Sequence, residues 1–359
     1  MYIAVRAVFS ETDNTELNSI LNSIQEKIIL PAYLPEKQRK LVFDPKKRSQ
    51  LEQNPIIIEV EGLEHKFSSI DRFKEVENSK KALSRALHKM QSAQDWANLG
   101  TLLAGYKKAG IKLKANHWGK VVRVAGRRGH IFAVIECAKQ FDKTGLVIRT
   151  PETAVRVLAF ANDKITESAW DAGETKRALR WVETVLDLLQ RPEFRSTRQN
   201  LHFSRLVRGL AVFSRASAVK VGQAAERDMA LLRDEVALLS ALWEGAVDKD
   251  LFGVSEFAKL NPLVERRARD DGEKIIPQAL NGSAYIQVLT QNIKGIELAQ
   301  EVLGDDVESL PPILDTLRSH LQDFATKSET RTEAWADEYE KVMGTTPNWP
   351  AAAAQAAGA

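Results

Sequence analysis

Residues 93–111, AQDWANLGTLLAGYKKAGI, and residues 128–146, RGHIFAVIECAKQFDKTGL, superimpose at a spacing of 35. Trp96, Leu99, Leu103, Tyr106, Gly110 and Ile111 fall on Ile131, Val134, Ala138, Phe141, Gly145 and Leu146. An apolar stripe at helical spacing, closed by a glycine at a fixed place, predicts a helix that ends in a left-handed residue. Recurrence at this interval is the signature of a helical-hairpin repeat. A single hairpin cannot bury its apolar face, so neighbours must stack, and the extended scaffold that results suits binding better than catalysis.

Outward from this block, the spacing predicts consecutive helices over 79–92, 93–109, 115–126, 130–143, 151–164 and 172–190. Gly126-Arg127-Arg128-Gly129 reads as a tight turn between antiparallel partners, and Pro151 suits a first helical turn. Leu179, Trp181, Val182, Val185, Leu186, Leu188 and Leu189 give the last of these helices a broad apolar face. Beyond Pro192 the period is lost. Longer helices are expected there over 200–218, 221–247, 275–303, 311–326 and 329–343, followed by an alanine-rich tail. Upstream, Pro31, Pro35, Pro45 and Pro55 punctuate the chain, and only Leu17, Ile20, Leu21, Ile24 and Ile28 share a helical face. Ile56, Ile57, Ile58 and Val60 before Gly62 predict a short strand that pairs with Lys66 and Phe67. The expected fold is therefore all-α, a helical-hairpin solenoid with a short β element in an N-terminal extension. Four parts are expected: an extension or arm over 1–75, repeats over 76–191, a C-terminal helical region over 192–345 and a low-complexity tail over 346–359.

The formal charge of +3 hides an asymmetry. Residues 79–150 hold fifteen Lys and Arg against three acids, whereas residues from 300 onward hold four against eleven. The repeat block is a local cation, and the acidic end should meet solvent or a basic protein rather than phosphate. Between Pro35 and Pro55 lie Lys37, Arg39, Lys40, Lys46, Lys47 and Arg48. Such a proline-broken basic segment is expected either to order only against a polyanion or another protein, or to remain a solvated loop.

Catalytic chemistry finds little support. The six histidines, His65, His88, His117, His130, His202 and His320, make no HExxH pair, and the single cysteine, Cys137, lies at no metal-ligand spacing from them. Gly105 to Ile111 resembles a phosphate loop superficially, but Ile111 stands where that loop needs Lys. Asp305, Asp306 and Glu308 read as a solvated acidic loop before a helix. No apolar run is long enough to span a bilayer. One cysteine allows no intramolecular disulfide and fits a reducing compartment. Met1 to Ser10 carry only Arg6, and Glu11, Asp13 and Glu16 follow at once, a poor presequence. Among the tryptophans, Trp96, Trp118, Trp181 and Trp243 sit on apolar helical faces, whereas Trp349, between Pro347 and Pro350, is expected to be free to anchor on a partner.

At Ala109-Gly110-Ile111-Lys112 and Thr144-Gly145-Leu146, each following a helix with an aromatic residue four positions before the glycine, the chain resembles the pentatricopeptide repeat family. The resemblance covers about a third of the chain. It implies a right-handed α-solenoid that binds RNA in an organelle, one base being read per repeat by the best-known members. One complete repeat runs from Ala115 to Arg149, which places the base-reading positions on Trp118 and Arg149; Lys114 closes the preceding repeat. The family usually has a small polar residue at the first position and Asp or Asn at the second, so the resemblance does not carry the base code. Taken with the basic arm and the acidic helical end, the whole chain resembles pentatricopeptide-like mitochondrial ribosomal proteins of the fungal type. That resemblance implies a non-enzymatic accessory subunit in the mitochondrial matrix, packed on ribosomal RNA backbone and on other mitochondrial ribosomal proteins. Neither a cofactor, a metal, a membrane nor a small-molecule substrate is expected. The expected RNA-binding residues are Lys107, Lys108, Lys112, Lys114, Arg123, Arg127, Arg128 and Arg149, with Lys46, Lys47 and Arg48 in the arm. The alternatives are a pentatricopeptide-type RNA-binding factor for organellar transcript processing or translation, and a protein-binding helical scaffold.

Overall fold

The computed structural model describes residues 6–195, 200–222, 225–264, 279–329 and 331–349. The start of the helix expected over 275–303, the alanine-rich tail and part of the N-terminal stretch read above as a poor presequence lie outside the described residues. The described residues are mostly helical, with one two-stranded antiparallel sheet. The chain divides into two compact units, Met1–Val147 and Ile148–Ala359.

The first unit opens with helix α1 (Thr15–Ile24), capped where the Asn14 side chain accepts a hydrogen bond from Leu17 N at 3.0 Å. It buries Leu17, Ile20, Leu21 and Ile24, the face that the sequence predicts. A π turn (Gln25–Ile29) and a 3₁₀ turn (Leu30–Tyr33) continue it. Between Pro35 and Pro55 the structure departs from expectation. Neither a solvated loop nor a segment awaiting a polyanion is present; instead α2 (Glu36–Val42) and α3 (Arg48–Gln53) form there. The physical reason is that Val42 and Leu51 bury, with Leu30, Leu34, Val60, Phe67 and Ile70, in a small apolar core of their own. Proline is no obstacle, because Pro35 precedes the first turn of α2 and Pro45 starts a 3₁₀ turn. Strands β1 (Ile57–Val60) and β2 (Leu63–Lys66) pair antiparallel with Ile57 opposite Lys66 and Val60 opposite Leu63. Glu61 and Gly62 both take positive φ, as a two-residue hairpin turn requires.

Six further helices complete this unit: α4 (Ser79–Lys89), α5 (Ala93–Ala97), α6 (Leu99–Lys108), α7 (Ala115–Arg127), α8 (Ile131–Lys139) and α9 (Phe141–Thr144). Ser92 and Asp95 form a capping box that starts α5. The helix expected over 93–109 is divided at Asn98, whose amide holds both the N–H and the carbonyl of Ser10. Helix α4 packs on α7, and α6 on α8 and α9, so first helices meet first helices and second meet second. Gly110 and Gly145, the two repeat-related glycines, have φ of +71° and +74°, the left-handed conformation expected of them.

The second unit comprises α10 (Pro151–Glu167), α11 (Ala172–Gln190), α12 (Arg205–Val221), α13 (Glu226–Trp243), α14 (Ser255–Leu260), α15 (Gly282–Leu303), α16 (Leu310–Lys327) and α17 (Glu333–Met343). Helices α12 and α15 form its centre, and α10, α11, α13, α16 and α17 pack around them. Glycine permits the close approach of that central pair, with Gly209 against Asn292 and Gly295 against the main chain of Phe213. A buried ion pair ties α12 to α13, Arg208 to Glu235 at 3.0 Å, and another lies within α10, Arg156 to Glu152 at 2.8 Å. Burial raises the Asp163 carboxyl above its ordinary value, against the opposing pull of Lys341 at 3.1 Å. Trp349, expected to be free, instead packs edge-on against Tyr339 at 5.4 Å and lies 6.0 Å from the Arg331 guanidinium. Its apolar ring finds cover within its own unit.

Candidate nucleic-acid interface

Helix α7 separates the basic residues of the repeat block into two sets. Lys112 and Lys114 precede its first residue, and Arg127 and Arg128 lie at its end, about 20 Å away by helical rise. The cations therefore form two edges rather than one patch.

Part of each edge follows from helix electrostatics. Lys107 and Lys108 occupy the last turn of α6, Arg127 that of α7 and Lys143 that of α9, where unpaired carbonyls and the macrodipole favour positive charge. Lys107 is bound to its own unit: its Nζ donates to the carbonyls of Phe141 at 3.2 Å and Asp142 at 2.5 Å. Lys108 stands 5.1 Å from the centre of the Tyr33 ring. Lys112 and Lys114 are exposed, and among the described residues their ammonium groups meet no acid. The field at this edge is felt by His117, whose imidazole is held below its ordinary value by burial and then by Lys80, Lys114 and Lys120. At the opposite edge Arg127 and Arg128 are exposed beside His130, which stacks on Trp96 at 5.9 Å. Arg123 is half-buried one turn earlier.

The remaining expected residues lie elsewhere. Lys46 and Lys47 are exposed on the 3₁₀ turn capped by Asp44, and Arg48 pairs with Glu52 at 3.0 Å on α3. Arg149 belongs to the second unit, where its Nε donates to the Glu193 carbonyl at 2.7 Å. Trp118 is half-buried on α7. Neither position that would read a base in a pentatricopeptide repeat thus presents a free small polar group.

One cluster escaped the sequence reading. An open cleft of about 640 Å³ borders the Lys107–Lys114 loop at Ala109 and Ile111, and Lys27, Arg39, Lys40 and Arg72 line it. The signal was available at residues 71–75, DRFKE, where an aromatic stands between two cations. Among the described residues no group of three or more His, Cys, Asp and Glu is placed to hold a metal ion, and no helix is long and apolar enough to cross a membrane. Cys137 is buried, and that burial pushes its thiol well above its ordinary value, with Glu136 adding to the shift. A reactive thiolate is not what such an environment supports.

Comparison with known proteins gives these basic edges a context. Residues 3–343 match the family model for mitochondrial ribosomal protein mS27. The chain is also similar to small ribosomal subunit protein mS27 of Neurospora crassa, with 32% identity over 185 residues that cover 52% of this chain and 47% of the relative. The chain spans about half the length of the curated relative it matches. Because the family match runs through both compact units, from residue 3 to residue 343, the chain belongs to the mitochondrial ribosomal protein mS27 family.

Proposed function

We propose that this chain is a structural accessory subunit of the small subunit of the mitochondrial ribosome, working in the mitochondrial matrix without catalysis of its own. The observation that carries this reading is the family match over residues 3–343. The exposed basic edges of the first unit fit a role in packing on ribosomal RNA, because neutralising phosphates with Lys and Arg supplies sequence-independent affinity. A-form RNA is recognised largely by shape and backbone, so such contact needs no base code. Lys108, Lys112, Lys114, Arg123, Arg127 and Arg128 would serve it, with Lys46, Lys47 and Arg48 as an outlying set and Arg149 from the second unit; Lys107, expected among them, would instead stay with the Phe141 and Asp142 carbonyls.

Residues 76–191 are read as degenerate pentatricopeptide-like hairpins. The like-on-like packing of α4 with α7 and of α6 with α8 supports this reading, as do the left-handed glycines at its helix ends. In the same reading residues 1–75 form the N-terminal extension, 192–345 the C-terminal helical region and 346–359 the tail. Residues 300–345, where acids outnumber bases eleven to four, would face solvent or a basic ribosomal protein. Sedimentation of mitochondrial extracts on a sucrose gradient tests the proposal. The protein should peak with the small subunit in proportion to its other proteins; recovery only in the light fractions would refute it.

A further inference from the structure

The turn that follows the hairpin presents a single aromatic side chain to solvent between two cations. Phe73 is 97% exposed, the largest exposure among the large apolar residues described. Its turn is well braced. The Asp71 carboxylate accepts hydrogen bonds from the main-chain N–H groups of Phe73 at 2.9 Å and Lys74 at 3.2 Å. The Glu75 carboxylate accepts from Asp71 N at 3.3 Å, and Glu75 N donates to the Asp71 carbonyl at 2.8 Å. Both carboxylates are thereby engaged by main-chain N–H groups of the loop, and Arg72, Phe73, Lys74 and Glu75 are exposed.

Arg72 also lines the cleft, with Lys27, Arg39 and Lys40. Of the two acids there, Glu36 pairs with Lys40 at 2.7 Å and Glu77 with Arg85 at 2.8 Å. Arg39 and Arg72 keep guanidinium groups without an acid among the described residues. The cleft floor includes the apolar Pro31, Phe43 and Ile111. A phosphate chain alone needs no apolar floor and no exposed phenyl ring. An unstacked base needs both, since each base offers a π face to an aromatic side chain while its phosphates follow the cations. Protein–protein interfaces also use Phe and Arg but are depleted of Lys, which here flanks the ring as Lys74, so a protein pocket is an outcome that the test must separate.

We propose that Phe73, flanked by Arg72 and Lys74 and backed by the Arg39 cleft, is a stacking anchor for an unpaired nucleotide of single-stranded or looped RNA. This deepens the ribosomal RNA-packing reading above and rests on it. The turn selects for an extruded base, whereas the basic edges track backbone of any sequence.

The test uses the full chain, a single-stranded oligouridine whose bases stack weakly on one another, and a blunt RNA duplex of equal charge. Phe73→Ala should weaken oligouridine binding by on the order of tenfold, leave the salt dependence unchanged and leave duplex binding unchanged; Phe73→Trp should restore binding. Because Phe73 touches little, its replacement is expected to leave the thermal melt of the protein as it is. Oligouridine affinity equal to the parent's would overturn the proposal. So would normal RNA binding combined with loss of the variant from the small subunit, which would assign Phe73 to a protein pocket instead. If the parent binds duplex through Lys112 and Lys114 while Phe73→Ala is silent, only this inference falls. A parent chain that binds neither RNA brings down both readings.

Discussion

Lys107 and Asp142 stand 35 residues apart and touch: the lysine ammonium donates a hydrogen bond to the main-chain carbonyl of the residue one repeat beyond its own position. The sequence period thus appears directly as a contact, with the end of α6 closing the end of α9. Such a cation at a helix C-terminus contributes about 0.3–1 kcal/mol when exposed to solvent. Lys107→Met should lower the urea midpoint of the first unit accordingly and leave the salt dependence of RNA binding as it was. A flattened salt slope with unchanged stability would mean that Lys107 serves RNA rather than the helix end.

Leu103 lies between these hairpins and is 1% exposed, as are Trp96 and Ile131. Truncating a side chain so enclosed leaves a cavity and costs about 2–5 kcal/mol. Leu103→Ala should therefore shift chemical denaturation strongly. A parent-like midpoint would show that the stripe does not form the inter-hairpin core.

Local chemistry explains which features were legible in the sequence. Gly110 and Gly145 could be read because a left-handed helix end favours glycine at a fixed distance from an aromatic anchor. The hairpin at Ile57–Lys66 could be read because Glu-Gly interrupts an apolar run. Helices α2 and α3 could not, since their burial depends on Leu30, Phe67 and Ile70 converging from elsewhere in the chain. Short α14 and the packing of Trp349 on Tyr339 were hidden for the same reason. For the candidate interface, the helix expected over 115–126 already set Lys114 and Arg127 at its two ends, but the sequence did not reveal that Lys107 would be occupied by carbonyls. The anchor at Phe73 was missed because a charged turn with one aromatic looks like an ordinary loop until its exposure is known.

Two glycines offer a contrast in how tightly helices meet. A Cβ on Gly295 would lie 2.7 Å from Phe213 N and 2.8 Å from Phe213 Cα, main-chain atoms that only a shift of α12 against α15 can relieve. A Cβ on Gly105 would meet only side-chain atoms, those of Ile29, with Cγ1 at 2.7 Å, so a shift of that one side chain, without movement of a neighbouring main chain, can relieve it. Gly295→Ala should destabilise the protein by about 1–3 kcal/mol, overpacking outweighing the roughly 1 kcal/mol gained in helix propensity. Gly105→Ala should cost less. Thermal melts of the two variants that reverse this order would contradict the close approach of α12 and α15.

His320 makes acid stability a readout of the second unit. Its ring shares a 2.8 Å hydrogen bond with the Tyr285 hydroxyl and meets Phe252 and Phe257 edge-on, and this burial pushes it down to about 4. His202 is pushed down to about 4 as well, by burial and then by Arg208. An unfolded histidine takes up its proton near pH 6.5, whereas the folded ring refuses it until about pH 4. Between those values the unfolded state binds more protons, so stability falls as pH drops through the window. The raised carboxyls of Asp163 and Glu338 act in the opposite sense, which makes a variant comparison the informative measurement. His320→Gln, neutral throughout, should lose less stability than the parent between pH 6.5 and pH 4. Parallel pH profiles for the two proteins would place the titration elsewhere.

The two basic edges differ in strength, and their difference tests the RNA contact itself. His117 registers Lys80, Lys114 and Lys120 together at the edge before α7, and the cleft adds Arg39 and Arg72 there. The edge beyond α7 offers Arg127 and Arg128. Each phosphate neutralised on a duplex contributes about 0.9 to the slope of log affinity against log salt. Lys112→Glu with Lys114→Glu should therefore flatten that slope by about two and weaken binding uniformly across sequences, since phosphate contacts carry no base information. Arg127→Glu with Arg128→Glu should act in the same direction but more weakly, because fewer neighbouring cations reinforce it. Equal slopes for the parent and both double variants, each correctly folded, would identify the edges as solvated faces of the helices rather than as RNA contacts.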